Sequence, residues 1–157
     1  MTTVRKIDAD TVVPLIDLAV RPDQTGFVAP NAVTIAQAMF DKAAEIYGIY
    51  DGDAPVGLMA FIDMSHPDAE LEERDTPDSL YLWRFMVDQA HQKRGHGAAA
   101  LGLFDQIARD RGRIKVVTSA VPGSGSAIPF YERAGYAKTG QIDEGEVVLA
   151  KALSRPD

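Results

Sequence analysis

The chain has 157 residues, 46% of them hydrophobic and 25% charged, the composition of a single globular domain rather than of a disordered chain or a coiled coil. Sixteen Lys and Arg against 23 Asp and Glu leave a formal charge of −7, the wrong balance for nucleic acid, whose phosphates need a basic face. Cysteine is absent, which removes disulfides, thiolate metal ligands and a thiol nucleophile; with no apolar run near the roughly 18 residues of a membrane span and no signal-peptide core at the start, a cytoplasmic protein without membrane partners is expected.

Residues 3–7 alternate as an edge strand, and Asp10 or Thr11 can cap a helix running to about Leu18 on Val12, Leu15, Ile16 and Ala19, with Pro14 in its first turn. After a loop with Pro22, Gly26 and Pro30, Asn31 is placed as the N-cap of a second helix. Its apolar face would be Ala32, Ile35, Ala36 and Met39. Residues 45–50 and 55–62 are β-rich runs joined by Asp51-Gly52-Asp53, a hairpin signal. Between Asp63 and Asp78 lie seven acids against the single Arg74, a pattern that reads as a solvated loop. Residues 80–87 are nearly continuous in apolar and aromatic side chains, as in a central strand, with Arg84 the one charge.

From Gly97 to about Arg111 the period becomes helical, with Leu101, Phe104 and Ala108 beside Ala100, Leu103 and Ile107. Residues 114–121 form a further strand. Ala127, Phe130, Tyr131 and Ala134 mark a short helix closed by Gly135. Residues 137–142 and 146–153 pair around Asp143-Glu144-Gly145. The order β-α-α-β-β-β-α-β-α-β-β describes a mixed α/β sheet with helices on both faces.

Gln92-Lys93-Arg94-Gly95-His96-Gly97-Ala98 stands between the central strand and the long helix. Glycines there permit positive φ and close approach, and the helix N-terminus adds about half a positive charge, which together suit a pyrophosphate. The spacing is neither the dinucleotide GxGxxG nor a GK[ST] loop. The stretch from His91 to Lys115 carries six Lys or Arg against Asp105 and Asp110, a balance that can hold an anion.

This motif resembles the Gln/Arg-x-x-Gly-x-Gly/Ala signature of the GNAT superfamily of acetyl-CoA-dependent N-acetyltransferases, met by Gln92, Gly95 and Gly97. A second signature, Asn-x-x-Ala-x-x-Phe-Tyr-x-x-x-Gly-Phe/Tyr, is matched by Ser124, Ala127, Phe130, Tyr131, Gly135 and Tyr136, with Ser124 departing from the usual Asn. The resemblance spans essentially the whole chain. It implies a mixed, mostly antiparallel central sheet flanked by helices, α/β or, on some schemes, α+β. It implies acetyl-CoA as cosubstrate with no metal, its pantetheine arm on main-chain groups of Phe85, Met86 and Val87. The pyrophosphate would lie on the amides of Lys93, Arg94, Gly95, His96, Gly97 and Ala98, and Ser124, Ala127 and Phe130 would serve the same cofactor.

Direct attack needs a neutral amine, whereas an alkyl amine with a pKa near 10.4 is neutral in only about one molecule in a few thousand at pH 7. A base or a proton-conducting water chain is therefore useful, and so is an acid for the leaving thiolate. By the resemblance Tyr131 is that acid; otherwise it is a core tyrosine continuing the stripe of Ala127 and Ala134. The glutamate that many relatives carry in the central strand would fall near Trp83, and no carboxylate occurs there. The base would then be water held by carbonyls, or an acid from the acidic loop or the first two helices.

Residues 26–31, 35–38 and 82–88 also resemble a bacterial branch of diamine or spermidine acetyltransferases. That likeness implies a small polyamine acceptor, with Phe27, Asn31, Gln37, Trp83 and Arg84 lining its pocket. Arg84 would position substrate or water, or else pair with a buried carboxylate. Peptide amines and a silent acetyl-CoA-binding module are the alternatives, and the resemblance makes a homodimer plausible.

Overall fold

In the computed structural model, which describes residues 1–154, the alternating segments become seven strands. They are β1 (Thr2–Lys6), β2 (Ala44–Asp51), β3 (Ala54–Asp63), β4 (Ser79–Val87), β5 (Lys115–Ala120), β6 (Ala137–Asp143) and β7 (Glu146–Ala152). They lie in one sheet in the order β1-β2-β3-β4-β5-β7-β6. Every neighbouring pair is antiparallel except β4 and β5. Four helices complete the fold: α1 (Val12–Ile16), α2 (Asn31–Ala38), α3 (His96–Asp110) and α4 (Ile128–Arg133). The mixed, mostly antiparallel sheet flanked by helices agrees with the expected class, and each strand lies within two residues of its expected bounds.

The two faces of the sheet have separate cores. Leu101, Phe104 and Ala108 of α3 and Tyr131 of α4 pack on Met59, Phe61, Leu80, Leu82, Val116 and Leu149. On the other face Leu15 of α1, with Ile35 and Ala38 of α2 beside it, covers Ile46, Leu58, Ala60 and Met86. Leu15 is fully buried, so truncation to Ala would cost about 2–5 kcal/mol. No helix is long and apolar enough to cross a membrane among the described residues.

Three local expectations are corrected. Helix α1 stops at Ile16, before Leu18 and Ala19, and Ile16 is 40% exposed. The cap of α2 is Pro30, while Asn31 is its first helical residue and is buried. The Asn31 amide donates to the carbonyls of Leu15 at 2.8 Å and Leu18 at 3.4 Å, fastening α2 to the turn that ends α1. That anchor turns α2 so that Asn31 and Thr34 are buried while Met39 is 80% exposed.

The acidic segment is also more than a solvated loop. Asp63 and Asp75 are buried. Asp63 accepts from Arg113 at 3.0 Å and Arg111 at 3.2 Å. Arg74 lies over the Tyr81 ring at 3.8 Å and binds Asp143 at 2.5 Å. The cations that hold this segment come from elements distant in sequence, except Arg74 itself.

Candidate active site

Strands β4 and β5 pair only over Ser79–Leu82 and Lys115–Thr118. Beyond them β4 continues to Val87 against β3 alone, so the main chain of Phe85–Val87 has no strand partner on its β5 side. The last shared rung is closed by a side chain, the Thr118 hydroxyl donating to the Leu82 carbonyl at 3.0 Å. A cleft of about 900 Å³ opens where the strands part.

A bulge sets the side chains at this point. Leu82 pairs with Phe61 and Arg84 with Ala60, leaving Trp83 as the extra residue on β4. A bulged residue breaks strict alternation. Trp83 and Arg84 therefore both face the α1–α2 side, where Trp83 packs with that core and the Arg84 guanidinium lies 4.5 Å from the Trp83 ring centre. Arg84 donates to the Trp83 carbonyl at 3.2 Å and to Gln37 Oε1 at 3.4 Å. It has no carboxylate within ion-pair distance among the described residues, and its Nε is buried without a partner. Burial therefore lowers its pKa from the usual guanidinium value. Of the two readings of Arg84, pairing with a buried carboxylate is not what the structure contains.

The glycine motif forms the other end of the cleft. Lys93 has φ 64° and Gly95 φ 86° just before α3 begins at His96, an alternation that turns successive amides inward beside the helix N-terminus. Gly97 lies beside α4, where an added Cβ would be 3.4 Å from the Phe130 ring, at the edge of ordinary contact. Phe130 stacks on Phe85 at 5.9 Å between ring centres, joining α4 to β4 across the cleft floor.

Fifteen of the expected site residues border the cleft: Phe27, Trp83, Arg84, Phe85, Met86, Val87, Gln92, Lys93, Gly95, His96, Gly97, Ala98, Ala127, Phe130 and Tyr131. Some do so with their side chains otherwise engaged. Gln92 donates to Gln24 at 2.8 Å and to the Val87 carbonyl at 3.0 Å, tying the motif loop to the segment after α1. His96 turns its ring to Thr2 at 2.9 Å and Asp51 at 3.8 Å, leaving only its main chain for a ligand.

Four expected residues are not on the wall. Asn31 is committed to the end of α1, and Gln37 reaches the site only through Arg84. Arg94 and Ser124 lie outside the lining. Ser126 instead holds the loop before α4, donating to the Val121 carbonyl at 2.6 Å and accepting from the Ile128 amide at 3.2 Å.

Tyr131 is 5% exposed and lies against the Thr118 hydroxyl, with burial pushing its phenol up to about 12. It thus keeps its proton through the neutral range and can donate a hydrogen bond to a sulfur that gains charge. Its ring also packs on Phe130 and Tyr136, so the catalytic and the core readings are both compatible with its position. The further lining residues include two carboxylates that sequence reasoning did not single out, Glu144 and Glu146 from the turn and strand start after β6. An Asp-Glu-Gly-Glu stretch looks like an ordinary solvated turn, and no local signal sets it apart.

The open edge of β4 and the inward-turned amides before α3 match the shape and charge of a pantetheine arm with its pyrophosphate, so the residues present fit coenzyme A. Phe85–Val87 would hold the arm and residues 93–98 the pyrophosphate. Among the described residues no group of three or more His, Asp or Glu could hold a metal ion.

Solved structures share this architecture. The GNAT domain of S. lividans PAT matches with a TM-score of 0.74 and 21% identity, over 96% of this chain and 89% of that one. The PaiA N-acetyltransferase from Thermoplasma acidophilum, solved with coenzyme A, matches with a TM-score of 0.70 and 12% identity over 98% and 99%. The ribosomal-protein-S18-alanine N-acetyltransferase from Escherichia coli matches with a TM-score of 0.69 and 14% identity over 100% and 97%. No curated protein sequence matches the chain. Residues 14–136 match the model of the Acetyltransferase (GNAT) family, and the chain therefore belongs to that family.

Proposed function

We propose that this acyltransferase, with acetyl-CoA as donor, has as its acceptor a small primary amine, a polyamine such as spermidine, acetylated by direct attack with Tyr131 assisting the departing thiolate. The observation that carries the small acceptor is contact across the cleft. Phe27, from the loop before α2, borders the cleft opposite Gly125, where an added Cβ would lie 3.7 Å from the Phe27 ring. A bridge of this kind narrows the acceptor approach and disfavours an extended peptide. The polycation is suggested by Glu144 and Glu146, the two carboxylates on a wall that also carries Arg21, Arg84, Lys93 and Arg133, as charge-assisted partners for ammonium groups of the acceptor.

Thiol release from acetyl-CoA across polyamines, monoamines, amino acids and peptides tests this reading. The expected result is highest kcat/KM with a polyamine and low turnover of peptides. Preference for a peptide removes the small-acceptor reading. Thermal stabilisation by coenzyme A without turnover of any amine overturns the acetyltransferase reading altogether.

A further inference from the structure

Glu146 is the first residue of β7 and is half-buried. The packing of that strand decides where it points. Val147 and Leu149 pack into the core under α3 and α4, while Val148 packs with Tyr81 and Val117 on the opposite face. Alternation puts Glu146 on the Val148 face, the one that also carries Trp83 and Arg84. Tyr131 stands on the other face. Both Glu146 and Tyr131 border the same cleft, so a proton acceptor and a hydrogen-bond donor flank the gap between β4 and β5.

The Glu146 carboxylate makes no side-chain hydrogen bond or ion pair with another described residue. The groups whose charges reach it are Arg84 and Tyr81 of β4, Asp143 and Glu144 of the adjoining hairpin, Arg74 of the acidic segment and Tyr131 of α4. Arg84 attracts it without ion-pair contact, which leaves room for an acceptor beside both. Burial, resisted by Arg84 and reinforced by Asp143, raises the Glu146 pKa from the ordinary carboxylate value, and a proton acceptor works best with a pKa nearer the working pH.

We propose that Glu146 is the catalytic residue that removes the proton from the acceptor ammonium, the role for which β4 supplies no carboxylate. The inference rests on the amine-acetyltransferase reading above. One N–H bond of the ammonium breaks as its proton passes to the Glu146 carboxylate, and the freed lone pair forms the C–N bond to the thioester carbonyl. As the C–S bond breaks, its electron pair stays on sulfur, hydrogen-bonded by Tyr131. The nitrogen loses its second proton, which ends on the thiol, and Glu146 releases the first to water. The products are amide, thiol and one proton.

The test uses the full chain with two acceptors of equal length, an alkyl diamine and its aminooxy counterpart, a primary amine already neutral at pH 7. Glu146→Gln should lower kcat/KM for the alkyl diamine about 100-fold or more, within the usual range for an acid–base group, and less than tenfold for the aminooxy compound. The ratio between acceptors does not depend on how much of the variant is folded. In the wild type kcat/KM for the aminooxy compound should stay flat from pH 8 down to about 6 while that for the diamine falls as Glu146 is protonated, and in the variant the acid limb for the diamine should move up to the amine's own pKa of about 10. Equal losses with both acceptors, or an unchanged acid limb, overturn the role of Glu146 while leaving the acetyltransferase reading in place. No turnover of either compound by the wild type overturns both.

Discussion

The Thr118 hydroxyl donates to the Leu82 carbonyl at 3.0 Å, at the last rung shared by β4 and β5. Both strands lose their common ladder there, and a buried carbonyl without a donor would cost about 1–3 kcal/mol. The cleft thus begins at a point where a side chain replaces a backbone partner.

Thr118→Val keeps the shape of the side chain and removes that donor. Stability should fall by about 1–3 kcal/mol, read as a lower urea midpoint. The hydroxyl also lies near Tyr131 and lowers its phenol pKa, so the variant should leave Tyr131 still harder to ionise.

Tyr131→Phe should lower kcat at least tenfold, short of or within the 100- to 10,000-fold typical of a full acid–base group. Coenzyme A should still stabilise the variant thermally, since the ring packing is kept. The wild-type phenol titrates only at about 12, so it imposes no alkaline limb on kcat below roughly pH 10. A loss of wild-type activity between pH 8 and 9 that disappears in Tyr131→Phe would contradict this.

Gly95→Ala and Gly97→Ala should fail differently. Gly95 has φ 86° with nothing within 4 Å of an added Cβ, so the cost is backbone strain of about 1–2 kcal/mol. Coenzyme A affinity should fall with it as the amides before α3 turn away. At Gly97 the added methyl meets the Phe130 ring at 3.4 Å, and the change should appear as altered packing of α4. Isothermal titration with coenzyme A, set beside urea unfolding, separates the two.

Asp63 supplies the pH prediction. Burial alone would raise its pKa, but hydrogen bonds from Ser65 and Arg113, then Arg111, outweigh it and hold the carboxyl below the usual range. A folded pKa below the unfolded one stabilises fully above the ordinary aspartate value of about 3.9 and is lost as pH falls through the lowered value. Asp63→Asn should therefore cost stability at pH 7, with the variant and wild-type unfolding midpoints converging towards pH 2. A gap that stays constant with pH would remove the linkage.

The legible part of this protein is its local chemistry. Strand alternation, the broad stripe of α3 and the turn at Gly52 depend on neighbours a few residues apart. The same holds for Gly95, whose φ of 86° favours glycine. Those features carried the fold class and the glycine-turn end of the cleft. The acceptor end was misread where long-range contacts outweighed local preference. Asn31 suits a cap, yet the carbonyls of Leu15 and Leu18 at the end of α1 hold its side chain inward.

The sequence by itself determined the element order, the glycine turn before α3 and the family, because each is written in spacings within single segments. Only the tertiary structure decided that the bulge opposite Ala60 and Phe61 turns Trp83 and Arg84 to one face, and that β7 brings Glu146 to the same cleft as Tyr131. Strand register is set by pairing between distant segments, and a one-residue change in it exchanges the faces of every side chain that follows.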